Sequence, residues 1–405
     1  MRTSPSTAFT DAIEEGRIPQ WKIVIAGDTY RSGAIIDNSL SIKSAVSSNS
    51  RFEVGCVIIG QLSFTLKDFE HEIDADTYSQ GDIVTVYCGY DGEFVKMGVY
   101  YVNTVTPTEN TIAFSCYDVI AKLDNGNVDF TGITFPAQIR TIVSAIATQA
   151  GVPLEDTSFG GGQMYVQEAP TTKMTYRQAL AYCLQAIGKY ACANSDGEIR
   201  ISWFNTNAAI EISKPFSSSV NTGTSYTGVV LTVNGTDYTT TDESERTPCT
   251  YRIRNNPFID ENNAMYSLNY VWDAFRNMWF ASGTVSVCSN PLLEAGDVIN
   301  TNTWRDWSMN LPITSLTYKG TLRMSLSCNG AENMAALEDD RPEEKGSGSD
   351  VQAQEMAQEA ITDINNYKTA LGVDGFVFVR LADFDPTYNY GENVLVFVTE
   401  NTPIS

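Results

Sequence analysis

The sequence predicts a mainly β protein with an α+β insert: two β-barrel modules, a small α/β domain between them, and a C-terminal helix followed by a short β segment. Three observations support this prediction. A strand pattern that opens with Gly-Asp occurs twice. The hydrophobic period changes from two to about 3.6 between the two copies. An acidic, Gly/Ser-rich stretch then separates the C-terminal residues from the rest.

The repeated pattern begins at Gly81-Asp82 in the first copy and at Gly296-Asp297 in the second. Alternating strand segments follow each pair, and each copy closes on Ser-Cys. Gly accepts the positive φ of a tight turn, and the Asp carboxylate accepts hydrogen bonds from nearby amides. We interpret these four residues as a structural turn motif and the two segments as a duplicated β module.

Length and hydropathy bound the class of protein. A chain of 405 residues is long enough for two to four domains. No apolar run approaches the roughly 18 to 20 residues that a membrane span needs. The N-terminus lacks the apolar core of a signal peptide. These features predict no membrane span and no signal peptide. They predict a protein that is made in a cytoplasm and stays there until it is assembled into something larger.

The formal net charge of −23 is a second constraint. Because a nucleic-acid duplex repels such a chain, we expect no specific nucleic-acid binding. Ordinary solvation is one interpretation of the acidity. The other is a wall along which DNA slides without sticking.

Candidate chemical groups are sparse. Eight cysteines occur singly, with no CxxC pair, and several lie in apolar strand patterns, which is typical of buried free thiols. The only histidine, His71, lies in a mostly polar stretch and is interpreted as a solvated side chain. The sequence therefore predicts no catalytic, cofactor-binding or metal-binding residue, and no cofactor.

Residues 1–18 are interpreted as a polar leader and residues 19–128 as the first β-barrel module. Its early strands are expected near Trp21, Leu40 and Ile58. A closed or nearly closed barrel would hide the strand edges.

The α/β domain is expected at residues 129–206. Pro136 can occupy the first turn of one helix, which Gly151 ends. A second helix is expected to open at Thr175, with Gln178 at capping-box spacing. A hairpin completes this domain.

The second β-barrel module is expected at residues 207–335, including strands on both sides of an Asn234-Gly235 turn. A helix interrupts it. The apolar face of that helix consists of Leu268, Val271, Trp272 and Phe275.

The chain beyond is expected to contain an acidic Gly/Ser linker (336–350), a helix (351–372) and a C-terminal β segment (373–405). The helix has coiled-coil spacing over about three heptads, which suits either an oligomer stalk or a helix packed on its own domain. Two strands are marginal as an isolated sheet, so the β segment needs a partner.

Several motifs in this order resemble one family. They are Ser50-x-Phe52-x-Val54-Gly55, the helix and hairpin of Thr175–Phe204, Asn256-Pro257-Phe258-Ile259, and Asn290-Pro291-Leu292-Leu293-Glu294-Ala295-Gly296-Asp297. Together they resemble the hub proteins of phage tails and related contractile injection particles, over about residues 20 to 330.

This resemblance implies a fold of two tail-tube-like β-barrel modules per chain. It further implies a homotrimer in which six modules form a pseudo-sixfold ring, an adaptor between the tail tube and a central spike or tip. The implied partners are the tail tube protein, the spike or tip protein, the tape measure protein and other baseplate components. The implied location is the virion tail, with an acidic lumen for DNA. The residues after the linker could attach a separate spike, or be the stub of a longer extension.

An enzyme is one alternative, most plausibly a tail-associated cell-wall hydrolase. Glu70, Glu72, Asp74 and Asp76 alternate along one stretch, and paired carboxylates could hydrolyse glycosides. Alternating acids are more typical of a solvated strand face or loop. The flanking residues also offer little apolar cover to raise a carboxyl pKa.

A receptor- or carbohydrate-binding protein at the tail tip is the other alternative. Trp304 and Trp307 lie in a polar loop and could contact a partner, or they could cover their own barrel.

Overall fold

The computed structural model describes most of the chain up to residue 328 and two strands beyond it. The described residues are 2, 4–47, 52–71, 73–206, 209–212, 215–220, 225–241, 250–276, 278, 283–302, 308–328, 375–380 and 394–399. The chain divides into two compact units, Met1–Ser349 and Asp350–Ser405.

Strands outnumber helices in the described part, so the predicted mainly β class with a helical insert is confirmed. The helices are α1 (Thr7–Glu14), α2 (Ile139–Ala150), α3 (Tyr176–Ala186) and α4 (Ala264–Phe275). Short 3-10 turns lie at Ser32–Ala34, Ala75–Thr77 and Val119–Asp124. Within the described residues, no helix is both long enough and apolar enough to cross a membrane.

The strands of the larger unit fall into several sheets. They are β1 (Gln20–Ile25), β2 (Asp28–Arg31), β3 (Ser41–Ala45), β4 (Gln61–Lys67), β5 (Ile83–Tyr90), β6 (Glu93–Pro107), β7 (Thr111–Tyr117), β8 (Ala137–Gln138), β9 (Tyr165–Val166), β10 (Tyr190–Ala193), β11 (Ile199–Ser202), β12 (Ile210–Ile212), β13 (Ser217–Val220), β14 (Gly228–Val233), β15 (Thr236–Thr241), β16 (Thr250–Arg254), β17 (Gly283–Cys288), β18 (Val298–Asn302), β19 (Ser308–Pro312), β20 (Ser315–Tyr318) and β21 (Arg323–Cys328).

One sheet of eleven strands dominates the fold, in the order β13-β17-β21-β20-β3-β4-β7-β6-β5-β1-β2. Strands from both sequence copies belong to it, and β20 of the second copy pairs with β3 of the first. The first module comes close to the closed or nearly closed barrel that the sequence predicts, because Ile35, just after β2, forms an antiparallel bridge with Leu66 of β4. The two modules also cover one strand edge each by sharing a sheet.

The two modules have the same strand order. The first runs β1-β5-β6-β7-β4-β3, and the second runs β12-β18-β19/β20-β21-β17-β13, with β19 and β20 together in the place of β6. One difference is that β1 is antiparallel to β5, whereas β12 is parallel to β18.

The pairing register aligns the two copies residue by residue. Thr104 lies opposite Ser115 in the first module, and Ser315 lies opposite Ser327 in the second. The Ser-Cys pairs that close the copies therefore occupy equivalent positions, and both cysteines are buried. Equivalent strands in equivalent register support the duplication inferred from sequence.

The α/β domain contains the two expected helices. Thr175 Oγ1 accepts from the Gln178 amide and Gln178 Oε1 accepts from the Thr175 amide, so the predicted capping box is present. The expected start of α2 is wrong, because α2 begins at Ile139 rather than in a turn that contains Pro136. The intervening residues of β8 pair with β9 and are therefore extended.

The segment interpreted as a polar leader contains helix α1, so this description is wrong for residues 7–14. Phe9, Ala12 and Ile13 are buried at helical spacing. The ring of Phe9 lies edge-on to that of Tyr90 at 5.2 Å. Helix α1 is part of the core because its apolar stripe covers strand β5 of the first module.

The strands around the Asn234-Gly235 turn do not join the second module's sheet, contrary to the sequence prediction. Strands β14, β15 and β16 form a separate three-stranded sheet that contacts α4. On the predicted apolar face of α4, Leu268, Val271 and Phe275 are buried, and Trp272 is partly buried.

In the smaller unit, strands β22 (Gly375–Arg380) and β23 (Val394–Thr399) pair in parallel. The predicted linker and the predicted coiled-coil helix lie outside the described residues.

Candidate functional site: the joint between the two β modules

The two modules meet along an antiparallel strand pair, β3 with β20. Ser44 lies opposite Leu316, and Ile42 lies opposite Tyr318. Just beyond the paired strands, the amide of Val46 donates to the carbonyl of Thr314 at 2.8 Å. Main-chain hydrogen bonds therefore fix how one module is placed beside the other.

The motif at residues 290–297 lies at this joint. Tyr90 of the first module donates its hydroxyl to the carbonyl of Ser289 at 2.6 Å. Tyr318 of β20 donates to the carbonyl of Asn290. The sequence that carries much of the family resemblance thus contacts residues of both modules.

Arg2 fastens the N-terminal segment across the same joint. Its guanidinium donates to the carbonyls of Pro291 and Leu293, both at 3.0 Å, and to the carbonyl of Met97 at 2.8 Å. It also lies 3.5 Å from the carboxylate of Glu294. Because Met97 is in β6 and Glu294 is in the second module, one side chain bridges the two.

An ionic chain continues from Glu294 to the α/β domain. Arg200 on β11 lies 3.3 Å from Glu294 and binds Glu155 through two hydrogen bonds of 2.6 and 2.9 Å. Burial acts to raise the pKa of Glu294, but Arg2 and Arg200 outweigh it and hold this pKa below its usual value. The joint therefore couples all three parts of the larger unit through ionised groups.

The first Gly-Asp pair forms a turn against strand β6. The amide of Gly81 donates to the carbonyl of Val102 at 2.8 Å, and the amide of Val102 donates to the carbonyl of Asp82 at 2.9 Å. Asp82 Oδ2 accepts from the Ser79 amide at 2.7 Å. Gly81 has φ +95°, which its missing Cβ permits.

The second Gly-Asp pair forms the same turn at the joint. Gly296 donates to the Ile313 carbonyl and Ile313 donates to the Asp297 carbonyl, both at 2.8 Å, and Gly296 has φ +97°. Asp297 Oδ2 accepts from the Glu294 amide at 2.8 Å. The Asp297 carboxylate therefore orients the main chain at Glu294, the residue whose own carboxylate lies beside Arg2.

Comparison with known proteins rests on structure. No protein-family profile and no curated protein sequence matches this chain. Among solved structures, a 43 kDa tail protein of prophage MuSo2 from Shewanella oneidensis is 13% identical, with a TM-score of 0.52, over 78% of this chain and 99% of that one. A tail protein from Neisseria meningitidis MC58 is 10% identical, with a TM-score of 0.51, over 78% and 97%.

The chain has a phage tail-protein fold. The matched share of each tail protein is nearly its whole length, so the similarity covers the complete fold and not one module of it.

Asp118 is a buried carboxyl group near the joint in this tail-protein fold. Its Oδ2 accepts from the Gly60 amide at 2.8 Å and its Oδ1 from the Ile120 amide at 3.0 Å. Burial raises the pKa of Asp118, and these two hydrogen bonds lower it. Burial has the larger effect, so the pKa rises from 3.8 to about 7. The group caps a 3-10 turn, so we assign it a structural role.

We expect Asp118 to make the unfolding free energy fall as pH rises from about 4 to about 7. The folded pKa is higher than the unfolded one, so the folded state binds more protons in this window and loses stability as they leave. Urea titrations of the wild type and Asp118→Asn at pH 5 and pH 8 would measure this. The amide variant should lack this part of the pH dependence. An equal pH dependence in both proteins would contradict the raised pKa.

The other candidate residues are dispersed. Trp304 and Trp307 lie outside the described residues, so their contact with a partner stays a prediction. Asp74 is exposed and accepts from the Asp76 amide at 3.1 Å, which caps a 3-10 turn. His71 is exposed, as its polar surroundings predict.

In the described part of the chain, no group of three or more His, Cys, Asp or Glu side chains could hold a metal ion. The described cysteines are free thiols and most are buried, as predicted. Burial raises the pKa of Cys116 and of Cys192 to about 12, which keeps these thiols protonated and unreactive at neutral pH.

Sequence reasoning missed Arg2, Glu294 and Arg200 as an ionic chain. A signal for the ordered N-terminus was present, because Phe9, Ala12 and Ile13 recur at the spacing of a helix face. Nothing in the sequence indicates that Arg2 lies near Glu294, since they are separated by almost the whole larger unit.

Proposed function

We propose that this chain is the structural hub of a phage tail or phage-tail-like particle, with no catalytic role. Three copies form a ring of six β modules with pseudo-sixfold symmetry. The ring joins the sixfold tail tube to a threefold spike or tip, and the neighbouring proteins are the tail tube, spike, tape measure and baseplate proteins.

The observation that carries this proposal is the joint itself. Two modules of equal strand order lie side by side in one sheet within a single chain. A repeat that already meets its neighbour through main-chain pairing is suited to a ring, because the same contact can recur between chains. The fold that this chain shares with the two solved tail proteins supports a place in a phage tail or phage-tail-like particle.

We further propose that the ring has an acidic lumen through which DNA passes. The net charge of −23 supports it, because carboxylates repel DNA phosphates. Only Asp28 and Glu93 carry a carboxylate among the strands of the large sheet, whose other solvent-facing side chains are mainly hydroxyl, amide and Lys or Arg groups. The acidic groups would therefore come from loops, such as those with Asp74 and Asp76. A neutral or basic lumen in an imaged ring would remove this mechanism.

Light scattering on a sizing column tests the trimer. We expect a particle with three times the 44.5 kDa mass of one chain, stable over a range of concentrations, because each chain presents complementary surfaces on its two modules. A threefold axis in images of that particle would support the ring. A chain that stays monomeric at every concentration, even with the purified tail tube protein added, would overturn the proposal.

A further inference from the structure

A groove outside the joint lies between the α/β domain and helix α4. One side comes from strand β9 and the residues beside it, and the other comes from α4 and the turn before it. The groove has a volume of about 520 Å³, a size typical of small-ligand sites. Three tyrosines and three amide side chains dominate its lining, namely Tyr165, Tyr266, Tyr270, Gln163, Gln167 and Asn262.

Hydrogen bonds hold the two sides of the groove together. Gln163 Nε2 donates to the Tyr270 hydroxyl at 2.9 Å. The buried side chain of Asn263, directly before α4, donates to the carbonyl of Tyr165 at 3.1 Å. The groove is therefore formed by the fold itself, and a ligand need not order its walls on binding.

Two tyrosine rings of the groove are open to solvent, one on each side. Tyr165 on β9 is 51% exposed and Tyr266 on α4 is 65% exposed, whereas Met164 beside them is buried. A tyrosine combines an apolar ring with a polar hydroxyl, so it packs against C–H groups and makes a hydrogen bond at the same time. The two rings thus offer stacking surfaces to a ligand in the groove.

The polar groups of the groove retain hydrogen-bonding capacity. Within the described residues, the side-chain amides of Gln167 and Asn262 and the hydroxyls of Tyr165 and Tyr266 make no hydrogen bond. Side-chain amides and phenol hydroxyls both donate and accept. A ligand whose own groups donate and accept is matched by this set.

The groove is also neutral, although the whole chain has a net charge of −23. None of the described residues that line it carries a charge. An ionic ligand would lose hydration here without gaining a counter-charge. The lining therefore selects an uncharged ligand.

The arrangement of polar groups favours a sugar over a protein surface. The core of a protein interface is mainly apolar, with its polar groups at the rim. In this groove, amides and hydroxyls lie among the tyrosine rings along the lining itself. A neutral sugar has C–H faces that stack on rings and hydroxyls that both donate and accept, so it matches each property of the groove.

We propose that this groove binds a neutral oligosaccharide. Tyr165 and Tyr266 stack on its sugar rings, and Gln167 and Asn262 bind its hydroxyls. This inference goes beyond the proposed structural function, because it gives the chain a contact with a glycan in addition to its place in a tail. It does not rest on the trimer, since the whole groove lies within one chain.

Saturation-transfer NMR on the full chain tests the proposal. The probes are neutral tetrasaccharides built from glucose, galactose, mannose, rhamnose or N-acetylglucosamine, and tetragalacturonate is the anionic control. We expect saturation transfer to at least one neutral probe and none to tetragalacturonate. Failure of every neutral tetrasaccharide to bind overturns the proposal, and equal binding of tetragalacturonate overturns the selection for a neutral ligand.

Tyr266→Ala locates the binding in the groove. We expect it to raise the Kd of the bound tetrasaccharide about tenfold, because one stacking surface is lost. Tyr266→Phe should have a smaller effect, since it keeps the ring and removes only the hydroxyl. The matched control is Phe69→Ala, which removes an aromatic ring of similar exposure, 63%, from the first module and should leave the Kd unchanged.

The variants also test the competing occupant, a protein surface. A tetrasaccharide that binds Tyr266→Ala as tightly as the wild type overturns the assignment to this groove. If no sugar binds and Tyr266→Ala dissociates a wild-type trimer on the sizing column, the groove is a contact between copies of the chain and the proposal is overturned. Equal urea midpoints of Tyr266→Ala and the wild type, expected for so exposed a side chain, show that a change in Kd is not a loss of folding.

Discussion

An alanine in place of Gly296 is expected to lower the free energy of unfolding by about 3 to 4 kcal/mol, whereas an alanine in place of Gly81 should lower it by about 1 kcal/mol. Both glycines have nearly the same positive φ, +97° and +95°, and the same turn hydrogen bonds. The backbone strain is therefore common to both substitutions.

The difference comes from what surrounds each turn. A Cβ on Gly296 would lie 2.1 Å from Tyr190 Oη, whereas a Cβ on Gly81 would have no atom within 4 Å. Tyr190 is buried and packs against the rings of Trp203 and Phe204, so it cannot move aside. Overpacking against a fixed ring adds to the strain.

Urea unfolding of the two alanine variants and the wild type would measure the difference. Gly81→Ala serves as the matched control for the positive φ. Equal losses of stability in the two variants would mean that the second turn is free to move away from Tyr190, and would contradict the tight packing at the joint.

Arg2→Ala is expected to reduce the free energy of unfolding by about 3 kcal/mol. Three main-chain carbonyls lose a charged donor, and the largely buried Glu294 loses one of the two arginines that lie beside it. Arg2→Lys should be intermediate, because an ammonium group retains the charge but cannot reach all of these carbonyls with a planar fork.

The matched control is Arg17→Ala. Arg17 also lies near two carboxylates, Glu15 and Asp91, but all three side chains are well exposed. We expect no measurable change in its urea midpoint, because solvent screens exposed ion pairs. A loss of stability as large for Arg17→Ala as for Arg2→Ala would argue against a special role of the joint.

The effect of Arg2 should depend on pH in a defined direction. The pKa of Glu294 is lowered in the folded state, so its contribution is present above the unfolded pKa of 4.5 and is lost as pH falls through the folded pKa. The difference in stability between the wild type and Arg2→Ala should therefore shrink in acid. A difference that grows on acidification would contradict the ionised Arg2–Glu294 pair.

The sequence by itself determined the local features of this protein. The two Gly-Asp turns, the capping box at Thr175 and the hairpin turn at Asn234-Gly235 follow from which backbone angles and hydrogen bonds those residues favour. Period and composition likewise gave the mainly β class and the buried thiols. These features depend on neighbours within a few residues, and so a linear pattern can record them.

Only the tertiary structure decided which strand edges meet. The sequence analysis placed β14 to β16 in the second module and did not predict that the two modules share a sheet, because strand patterns show which face is buried but not which edge is paired. The joint of β3 with β20 and the bridge from Arg2 to Glu294 join residues that are far apart in the chain. Such contacts depend on how the modules pack, and no local propensity of Arg2 or of Ser44 encodes them.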